Sequence, residues 1–271
     1  MNITTSIKRT LLRSPLFLRL FNSYRARTRK IYKTHSHLFA NKCGLEIGGP
    51  SGVFKASGPF PIYHTLASLD NVNFSSNNFW STISEGKNFC YQEGKPNGHQ
   101  IIADAVELSK IPNESYDVLL ASHVIEHIAN PLKALNEWRR VIKDEGYLII
   151  IAPDMRYTYD RKRPLTTLEH ILSDFKNGMN ENDKSHLQEI IDLHDLSNDG
   201  TVATFEEHKR RTLDNETTRI AHHHTFDLNL VQSMLEHANF QVIDLEAFRP
   251  YHLLAIARKS RDIEQTSTHG I

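Results

Sequence analysis

Apolar residues occur along this chain in two alternating patterns, short continuous runs and longer stretches with apolar residues at helical spacing. The runs predict buried strands at 43–48, 66–70, 100–103, 116–121, 147–152, 241–247 and 252–258. Continuous runs of this kind are typical of strands covered on both faces, as in a parallel sheet. The stretches 130–143 and 228–238 predict amphipathic helices. This alternation indicates an α/β fold with a Rossmann-like, doubly wound, mostly parallel sheet.

Three segments lie outside this pattern and divide the chain. Before Glu46 every charged residue is Lys or Arg, and Leu and Phe are interleaved with them, so residues 1–42 are predicted to form a basic amphipathic arm. Residues 154–218 are polar with helical fragments at 167–176 and 185–193, which indicates a helical and loop insertion, or lid, after the fifth strand. Residues 259–271 are predicted to be a loose tail, so the α/β domain itself spans 43–258.

The basic arm allows two interpretations. It can pack its apolar face on the body, or it can dock on an anionic membrane surface as a peripheral contact. No apolar run approaches the roughly 18 residues needed to cross a bilayer. Lys plus Arg and Asp plus Glu both total 32, so the net charge of zero argues against a nucleic-acid partner. The two cysteines are too few for a disulfide framework, which favours a reducing, cytoplasmic setting. Association with a membrane through the basic arm is compatible with that setting.

The first predicted strand runs into an acid, Glu46, and then into a cluster of glycines around Pro50. Glycines at such a turn let the backbone approach a ligand closely, because no Cβ intervenes. An acid about 20 residues further on, Asp70, is placed to accept ribose hydroxyls at the end of the neighbouring strand. A plain strand-to-helix turn is the alternative explanation. A nicotinamide dehydrogenase is less well supported, since the Gly-x-Gly-x-x-Gly spacing is missing.

Further pieces follow in a defined order: a strand ending at Asp104, the strand that begins Tyr116-Asp117, the pair Glu126-His127, then Asn130-Pro131, Trp138-Arg139-Arg140 and Gly146. In this order the chain resembles the class I S-adenosylmethionine-dependent methyltransferases, especially their small-molecule branch. The resemblance covers residues 43–152 well. It extends more loosely to 228–258, which would supply the closing helix and the antiparallel last strand of that fold.

The resemblance implies S-adenosyl-L-methionine as cofactor and a set of binding residues. Glu46, Gly48, Gly49, Ser51 and Gly52 match the loop around the methionine portion, Asp70 the ribose acid, Asp104 and Ala105 the adenine turn, and Ser122 and His123 the strand end beneath the sulfonium. Pro50 departs from the family pattern, because it stands where the middle glycine belongs and lacks an N–H. That departure is the one feature that favours the alternative of a non-catalytic binding module with a methyltransferase fold.

A methyl acceptor that loses a proton needs a general base, and histidine is suited to this near neutral pH. We predict His223, from the triple-histidine segment 222–224, with His127 and Asp154 as further candidates; a structural role for these side chains is the alternative. No metal site is assigned, although a divalent metal held by histidines, especially the triplet, is kept as a second hypothesis. The spacing His123-x-x-Glu126-His127 also fits an inverted metalloprotease motif, but it follows a strand directly.

The insertion is expected to select the acceptor, because loops beyond the strand ends shape such pockets. Its first part mixes aromatic and cationic residues: Arg156, Tyr157, Tyr159, Arg161, Lys162 and Arg163. That mixture suits methyl transfer to O or N of a small polar metabolite or glycan precursor, and an ordinary basic surface patch is the alternative. The sequence predicts no oligomeric state.

Overall fold

The computed structural model describes residues 30–77 and 82–261, and its centre is an eight-stranded sheet. The strands are β1 Cys43–Ile47, β2 Ser68–Asn73, β3 Gly86–Phe89, β4 Gly98–Ile102, β5 Tyr116–Ser122, β6 Ile142–Pro153, β7 Phe240–Phe248 and β8 His252–Lys259. Their order across the sheet is β3-β4-β2-β1-β5-β6-β8-β7. The five strands from β4 to β6 are parallel, whereas β8 runs antiparallel to both β6 and β7, and β3 antiparallel to β4. The predicted doubly wound sheet with an antiparallel last strand is confirmed.

Six α-helices are named in the described residues: α1 Pro131–Val141, α2 Leu168–Asn177, α3 Leu187–Leu193, α4 Phe205–Leu213, α5 Asn215–Thr218 and α6 Leu228–His237. Helix α1 begins after Asn130, whose side chain accepts a hydrogen bond from the Lys133 N–H, with Pro131 in the first turn. Its buried apolar face ends at Trp138 and Val141. The predicted end at residue 143 was two residues late, because Ile142 already pairs with Tyr116 as the first residue of β6.

Side chains of the sheet alternate between two apolar cores, one on each face. Along β5, Leu119 belongs to the core that α1 and α6 complete, and Leu120 belongs to the opposite core. The opposite core is closed by aromatic residues that precede β2, among them Phe39, Phe54 and Phe60. Both faces are therefore covered, as the continuous apolar runs predict.

The described end of the basic arm lies in that second core. Residues 30–35 are helical, Ile31 and Tyr32 are buried, and the Tyr32 ring meets the Phe60 ring edge-on with centroids 5.4 Å apart. Residues 1–29, and with them most of the arm to which a membrane contact was assigned, lie outside the described residues, as does the tail from residue 262 onward. Among the helices of the described ranges, none combines the length and apolarity needed to cross a membrane.

The insertion 154–218 contains α2, α3, α4 and α5, together with loops that include the short 3-10 helices Met155–Tyr157 and Leu196–Asn198. Two of these helices were predicted, whereas the polar sequences of α4 and α5 gave no signal. The insertion leaves the sheet at Asp154 and returns beside it at Phe226, where the two residues form an isolated bridge and the Met155 N–H donates to the Phe226 carbonyl over 3.2 Å. The insertion is thereby held at the carboxyl ends of the central strands.

Candidate active site

A cavity of about 750 Å³ lies at the carboxyl ends of the parallel strands, with the insertion on its other side. The strand ends contribute Gly48 and Gly49 after β1, Asn73 and Phe74 at the end of β2, Asp104 and Ala105 after β4, and His123, Glu126 and His127 after β5. The insertion contributes hydroxyl, amide, carboxylate and guanidinium groups: Tyr157, Thr158, Tyr159, Asn198, Asp199, Thr201 and Arg211. The strand ends and the polar side chains of the insertion thus face each other across one space.

The loop after β1 comes close to the cavity because its first residue is a glycine in the left-handed region. Gly48 has φ +76°, and a Cβ there would lie 2.9 Å from Val124 Cγ2. The N–H groups of this loop are already used inside the protein: Gly48 donates to the Val72 carbonyl, Gly49 to the Asn71 side chain and Ser51 to Glu46. The loop therefore offers a ligand close backbone approach rather than a ring of N–H donors.

Glu46 lies beneath this loop and is fully buried. Its carboxylate accepts hydrogen bonds from the Ser51 N–H at 3.1 Å and from the Tyr63 hydroxyl at 2.7 Å. Burial disfavours the charged form and raises the pKa of Glu46 to about 7, although both hydrogen bonds oppose the shift. Glu46 thus shapes the loop from below and does not line the cavity.

Arg219 lines one wall of the cavity. It lies shortly before the triple-histidine segment, and its own backbone is in the left-handed region, with φ +51°. Its guanidinium lies 5.4 Å from the centroid of the Phe74 ring and 3.2 Å from the Asp104 carboxylate. Another guanidinium nitrogen is 3.3 Å from Glu181. The insertion side is thereby tied to the ends of β2 and β4 by one cation.

His123 directly follows β5 and carries a strained backbone, with φ +55°. Its N–H donates to the Ile151 carbonyl at 2.7 Å, and its ring nitrogens lie 2.8 Å from His252 Nδ1 and 3.4 Å from Glu126 Oε1. His123 precedes the short 3-10 helix Ile125–His127, so His123 and His127 do not share an α-helix. The metalloprotease interpretation therefore does not fit this geometry.

His127 and Glu126 present ionisable groups to the same space. The Glu126 side chain is almost fully buried, and its Oε2 has no hydrogen-bond partner among the described residues. The His127 Nδ1 lies 3.3 Å from the Ala221 carbonyl oxygen, which places its proton on Nδ1. Burial, followed by repulsion from His222, lowers the pKa of His127 to about 4, so the ring is neutral near pH 7.

His222 joins the insertion to this group. Its Nδ1 lies 2.6 Å from Asp160 and its Nε2 2.7 Å from the Tyr159 hydroxyl, while its ring centroid is 4.7 Å from that of His127. Burial favours the neutral ring, but the Asp160 carboxylate outweighs it and raises the pKa of His222. A hydrogen-bonded chain thus runs from a buried carboxylate to the Tyr159 hydroxyl at the cavity wall.

Residues 82–150 match a family model described as a methyltransferase domain. The matched stretch holds β3, β4, β5, α1 and most of β6, and therefore the strand ends that carry Asp104, Ala105 and His123. The chain contains a class I S-adenosylmethionine-dependent methyltransferase domain.

Solved structures similar to this methyltransferase include S-adenosylmethionine-dependent methyltransferases from Aquifex aeolicus and Methanosarcina mazei and a putative S-adenosylmethionine-dependent methyltransferase from Listeria monocytogenes. The first is 15% identical, with 96% of this chain and 100% of that chain covered and a TM-score of 0.45. The Methanosarcina protein is 14% identical with 85% and 98% covered, and the Listeria protein 14% with 88% and 98% covered, both with a TM-score of 0.48. No curated protein matches the chain, so the assignment rests on the family match and the strand order.

The cofactor of the methyltransferase is S-adenosylmethionine, and the cavity fits it. The close approach at Gly48 provides room that a Cβ would fill. Asn73 and Phe74 lie at the end of β2, beside Asp104 and Ala105 after β4. These groups offer an amide, an aromatic face and a carboxylate on the side where a nucleoside would lie. We expect Gly48, Asn73 and Asp104 to hold the cofactor.

Several predicted site residues line the cavity: Gly48, Gly49, Asp104, Ala105, His123 and His127. Four others stand behind the wall. Glu46 supports the loop, Ser51 and Gly52 follow it away from the cavity, and Ser122 is the buried last residue of β5. Their assignment to direct cofactor contact has no support from this geometry.

The placement of Asp70 at a strand end was wrong. Strand β2 continues to Asn73, and Asp70 pairs with Leu45 in its interior. The carboxylate accepts hydrogen bonds from the Tyr116 hydroxyl at 2.8 Å and the His99 N–H at 2.7 Å. A polar residue can remain inside a strand when such partners satisfy it, so the residue at the cavity is Asn73.

Two of the three predicted bases also lie elsewhere. His223 is buried, with Nε2 3.0 Å from the Asn215 side chain, and the segment presents His222 to the cavity instead. The Asp154 carboxylate is held by the Arg156 guanidinium, at 2.8 and 2.6 Å, and does not line the cavity. Only His127 of the predicted bases faces the acceptor space.

Sequence reasoning missed some cavity residues and misjudged a group of cations. Of the aromatic and cationic cluster in the insertion, the tyrosines Tyr157 and Tyr159 line the cavity, whereas Arg156, Arg161 and Lys162 are exposed cations paired to carboxylates. Asn73, Asp199 and Arg219 carried no motif. Arg219 in particular meets Asp104 at a separation of 115 residues. Glu126 did carry a signal, since it stands inside the Glu-His pair that supported the resemblance.

Within the described residues, two groups bring three or more potential metal ligands within 4.8 Å of one another. The first is Glu126, His127 and His222 in the cavity. Both ring nitrogens of His222 already have close partners, Asp160 and Tyr159, so this group does not offer three available ligand atoms. The second group joins the insertion to His224 of the triple-histidine segment and does not line the cavity.

Proposed function

We propose that the methyltransferase transfers the methyl group to a hydroxyl or amine of a small polar metabolite or glycan precursor. The observation that carries this proposal is Glu126 Oε2, a buried carboxylate oxygen at the cavity wall with no hydrogen-bond partner in the described part of the chain. A buried acceptor without a partner costs about 1–3 kcal/mol. A hydroxyl or amine of the acceptor molecule supplies the missing donor.

The opposite wall supports the same class of acceptor. Tyr157 and Thr201 contribute hydroxyls, Asn198 an amide, Asp199 a carboxylate and Arg211 a guanidinium. This wall holds both hydrogen-bond donors and hydrogen-bond acceptors, which suits a molecule with several hydroxyls. Flat aromatic side chains such as Tyr157, which is about half exposed, suit the apolar face of a sugar ring.

His127 is the general base of this proposal. Bound S-adenosylmethionine supplies a methyl group on a positively charged sulfur, an electrophile that needs no further activation. His127 is neutral near pH 7 and carries its proton on Nδ1, so Nε2 takes the proton that the hydroxyl or amine loses. Glu126 Oε1 lies 4.0 Å from this Nε2, and its negative charge favours the protonated ring.

The cavity walls align the reacting groups. Acceptor groups held between Glu126 and His127 lie on the same side of the cavity as His123, at the end of β5. In-line alignment of a nucleophile with the methyl is the main requirement of such a transfer. The insertion supplies the remaining contacts and keeps bulk water from the reacting atoms.

The experiment is methyl transfer from S-adenosylmethionine with an isotopically labelled methyl group to a panel of sugars, nucleotide-linked sugars, amines and hydroxy acids. Products are detected and located by mass spectrometry. With the best acceptor, His127→Ala is expected to lower kcat at least about 100-fold and Glu126→Gln to raise KM for the acceptor about 10-fold.

The matched control is His99→Ala, an exposed histidine on β4, which should behave as wild type. All three variants should bind S-adenosylhomocysteine as wild type does, since the affected groups face the acceptor. The proposal is overturned if the product carries its new methyl on carbon or sulfur. It is equally overturned if His127→Ala keeps kcat within threefold of wild type.

A further inference from the structure

Four side chains of the insertion and the triple-histidine segment converge on one point outside the cavity. His170 and Asp174 are one turn apart on α2, so they face the same side of that helix. His186 immediately precedes α3, and His224 is the last residue of the triplet. The three histidine rings and the Asp174 carboxylate each direct one ligand atom inward, and all four atoms lie within 4.8 Å of one another.

The distances between these atoms lie within about 0.5 Å of those between the ligands of a tetrahedral zinc site. Asp174 Oδ2 lies 2.9 Å from His224 Nε2, 3.3 Å from His170 Nε2 and 3.6 Å from His186 Nε2. His170 Nε2 and His186 Nε2 are 2.8 Å apart. Ligands at 2.0–2.1 Å from a zinc ion in tetrahedral arrangement are about 3.3–3.4 Å from each other. The four atoms therefore surround a space of the size that one ion fills.

The chemistry of the set points to the same conclusion. Three imidazole nitrogens face a single carboxylate oxygen, and the Nε2 atoms of His170 and His186 face each other. One carboxylate oxygen cannot be an equally good partner for three rings. A cation at the centre satisfies all four atoms at once. Three imidazoles with a carboxylate are typical zinc ligands, and four protein ligands leave no position open, which is the pattern of structural rather than catalytic zinc.

Burial provides both a closed site and a path into it. The side chains of His224, Asp174 and His186 are buried or nearly so, whereas that of His170 is about half exposed, with 47% of its surface accessible. An ion can therefore enter beside His170. The buried side of the site is formed by the segment that also carries His222.

We propose that His170, Asp174, His186 and His224 bind a structural zinc ion that fastens the insertion to the triple-histidine segment. The ion joins α2 and the start of α3 to residues 222–224, and so fixes the position of His222 beside His127. Its role is to stabilise the arrangement of the acceptor side of the cavity. The site is independent of which acceptor is methylated.

The first test is the zinc content of the full chain, prepared without an affinity tag that binds metals and dialysed against metal-free buffer. Elemental analysis by inductively coupled plasma mass spectrometry is expected to find about one zinc ion per chain. Removal of the ion by a strong chelator is expected to lower the melting temperature, and one equivalent of zinc should restore it. A zinc content below one tenth of an ion per chain, together with no binding when zinc is titrated into the protein, overturns the proposal.

Variants then locate the ion. His170→Ala removes the most exposed ligand and Asp174→Asn removes the charge with little change in shape, so both are expected to fold, as circular dichroism will show. Even the loss of a residue that only holds a metal ligand in place costs about 10–100-fold in metal affinity. Each of these variants changes a ligand itself, so each should bind zinc at least about 100-fold more weakly, as measured in competition with a chromophoric chelator.

Two controls separate this site from others. His99→Ala removes an exposed histidine and should leave zinc binding unchanged. His127→Ala removes a histidine of the other group, Glu126, His127 and His222 in the cavity, and should also keep one zinc per chain. If His127→Ala loses the ion while His170→Ala and Asp174→Asn retain it, the metal belongs to the cavity and the proposal is wrong.

Discussion

The hydroxyl of Tyr116, the first residue of β5, donates a hydrogen bond to the carboxylate of Asp70 on β2 over 2.8 Å, across the intervening strand β1. The same carboxylate accepts a second bond from the His99 N–H on β4. Asp70 therefore links three strands in the interior of the sheet. Burial, together with the charge of Asp70, raises the pKa of Tyr116, which keeps the hydroxyl protonated as the donor.

This relationship predicts that Asp70 contributes to stability and Asn73 to cofactor binding. Asp70→Ala should lower the free energy of unfolding by about 1–3 kcal/mol, because two hydrogen bonds to a charged group are lost, with the affinity for S-adenosylhomocysteine within threefold of wild type. Asn73→Ala should weaken that affinity about 10-fold, the value of one hydrogen bond. Urea unfolding and calorimetric titration measure the two quantities. Loss of binding in Asp70→Ala at unchanged stability would contradict the assignment.

Much of the fold could be predicted from the sequence, because burial on both faces gives each central strand a continuous apolar run. The run 147–152 illustrates this, since it lies inside β6, which begins earlier, at Ile142. The amphipathic pattern after Asn130 likewise predicts the helix that begins at Pro131. Strand β3 could not be predicted. It is a short edge strand whose residues are largely exposed, so it carries no such pattern.

The site was most predictable where a residue lies within a few positions after an apolar strand. Gly48, Asp104 and His123 meet that condition and line the cavity. Which histidine of the triplet faces the cavity depends on partners that the sequence does not bring together. His222 meets Asp160 at a separation of 62 residues, and His224 meets Asp174 at a separation of 50.

The glycines of the cofactor loop should differ sharply in their tolerance of a side chain. Gly48→Ala places a Cβ 2.9 Å from Val124 in a left-handed backbone, and should cost about 1–3 kcal/mol of stability. It should also weaken S-adenosylhomocysteine binding by at least about 10-fold, because the new methyl lies at the cavity. Gly52→Ala is the matched control, since no atom lies within 4 Å of its Cβ position. Equal behaviour of the two variants in thermal unfolding and calorimetry would refute this view of the loop.

Arg163 should hold the insertion in place more strongly than any exposed cation does. Its buried guanidinium donates to the carbonyls of His222 and His223, at 2.6 and 3.0 Å, and to Asp160 and Glu189, both at 2.9 Å. Lysine keeps the charge but cannot reproduce this planar set of donors. Arg163→Lys is therefore expected to lower the free energy of unfolding by about 2–4 kcal/mol and to expose residues 154–218 to limited proteolysis.

The control for Arg163 is the pair formed by Arg258 and Glu145 on the surface, at 3.0 Å. Arg258→Lys should change stability by less than about 1 kcal/mol, since exposed ion pairs contribute little. Chemical denaturation of both variants decides the matter. If the two substitutions cost the same, the carbonyls of His222 and His223 do not depend on the guanidinium.

Glu46 should make the stability of the protein depend on pH in a defined window. Its pKa is about 7 in the folded protein, against 4.5 for the ordinary side chain. Between these values the folded protein holds a proton that the unfolded chain has released, so the free energy of unfolding falls as pH rises from about 4.5 to about 7 and levels off above. Glu46→Gln removes this pH dependence. Its free energy of unfolding, compared with that of wild type, should therefore rise by about 1–3 kcal/mol between pH 5 and pH 8. Urea unfolding at several pH values measures this effect. The control is Glu93→Gln at an exposed position, whose free energy of unfolding should differ from that of wild type by a constant amount. A constant difference for Glu46→Gln as well would mean that Glu46 is ionised throughout.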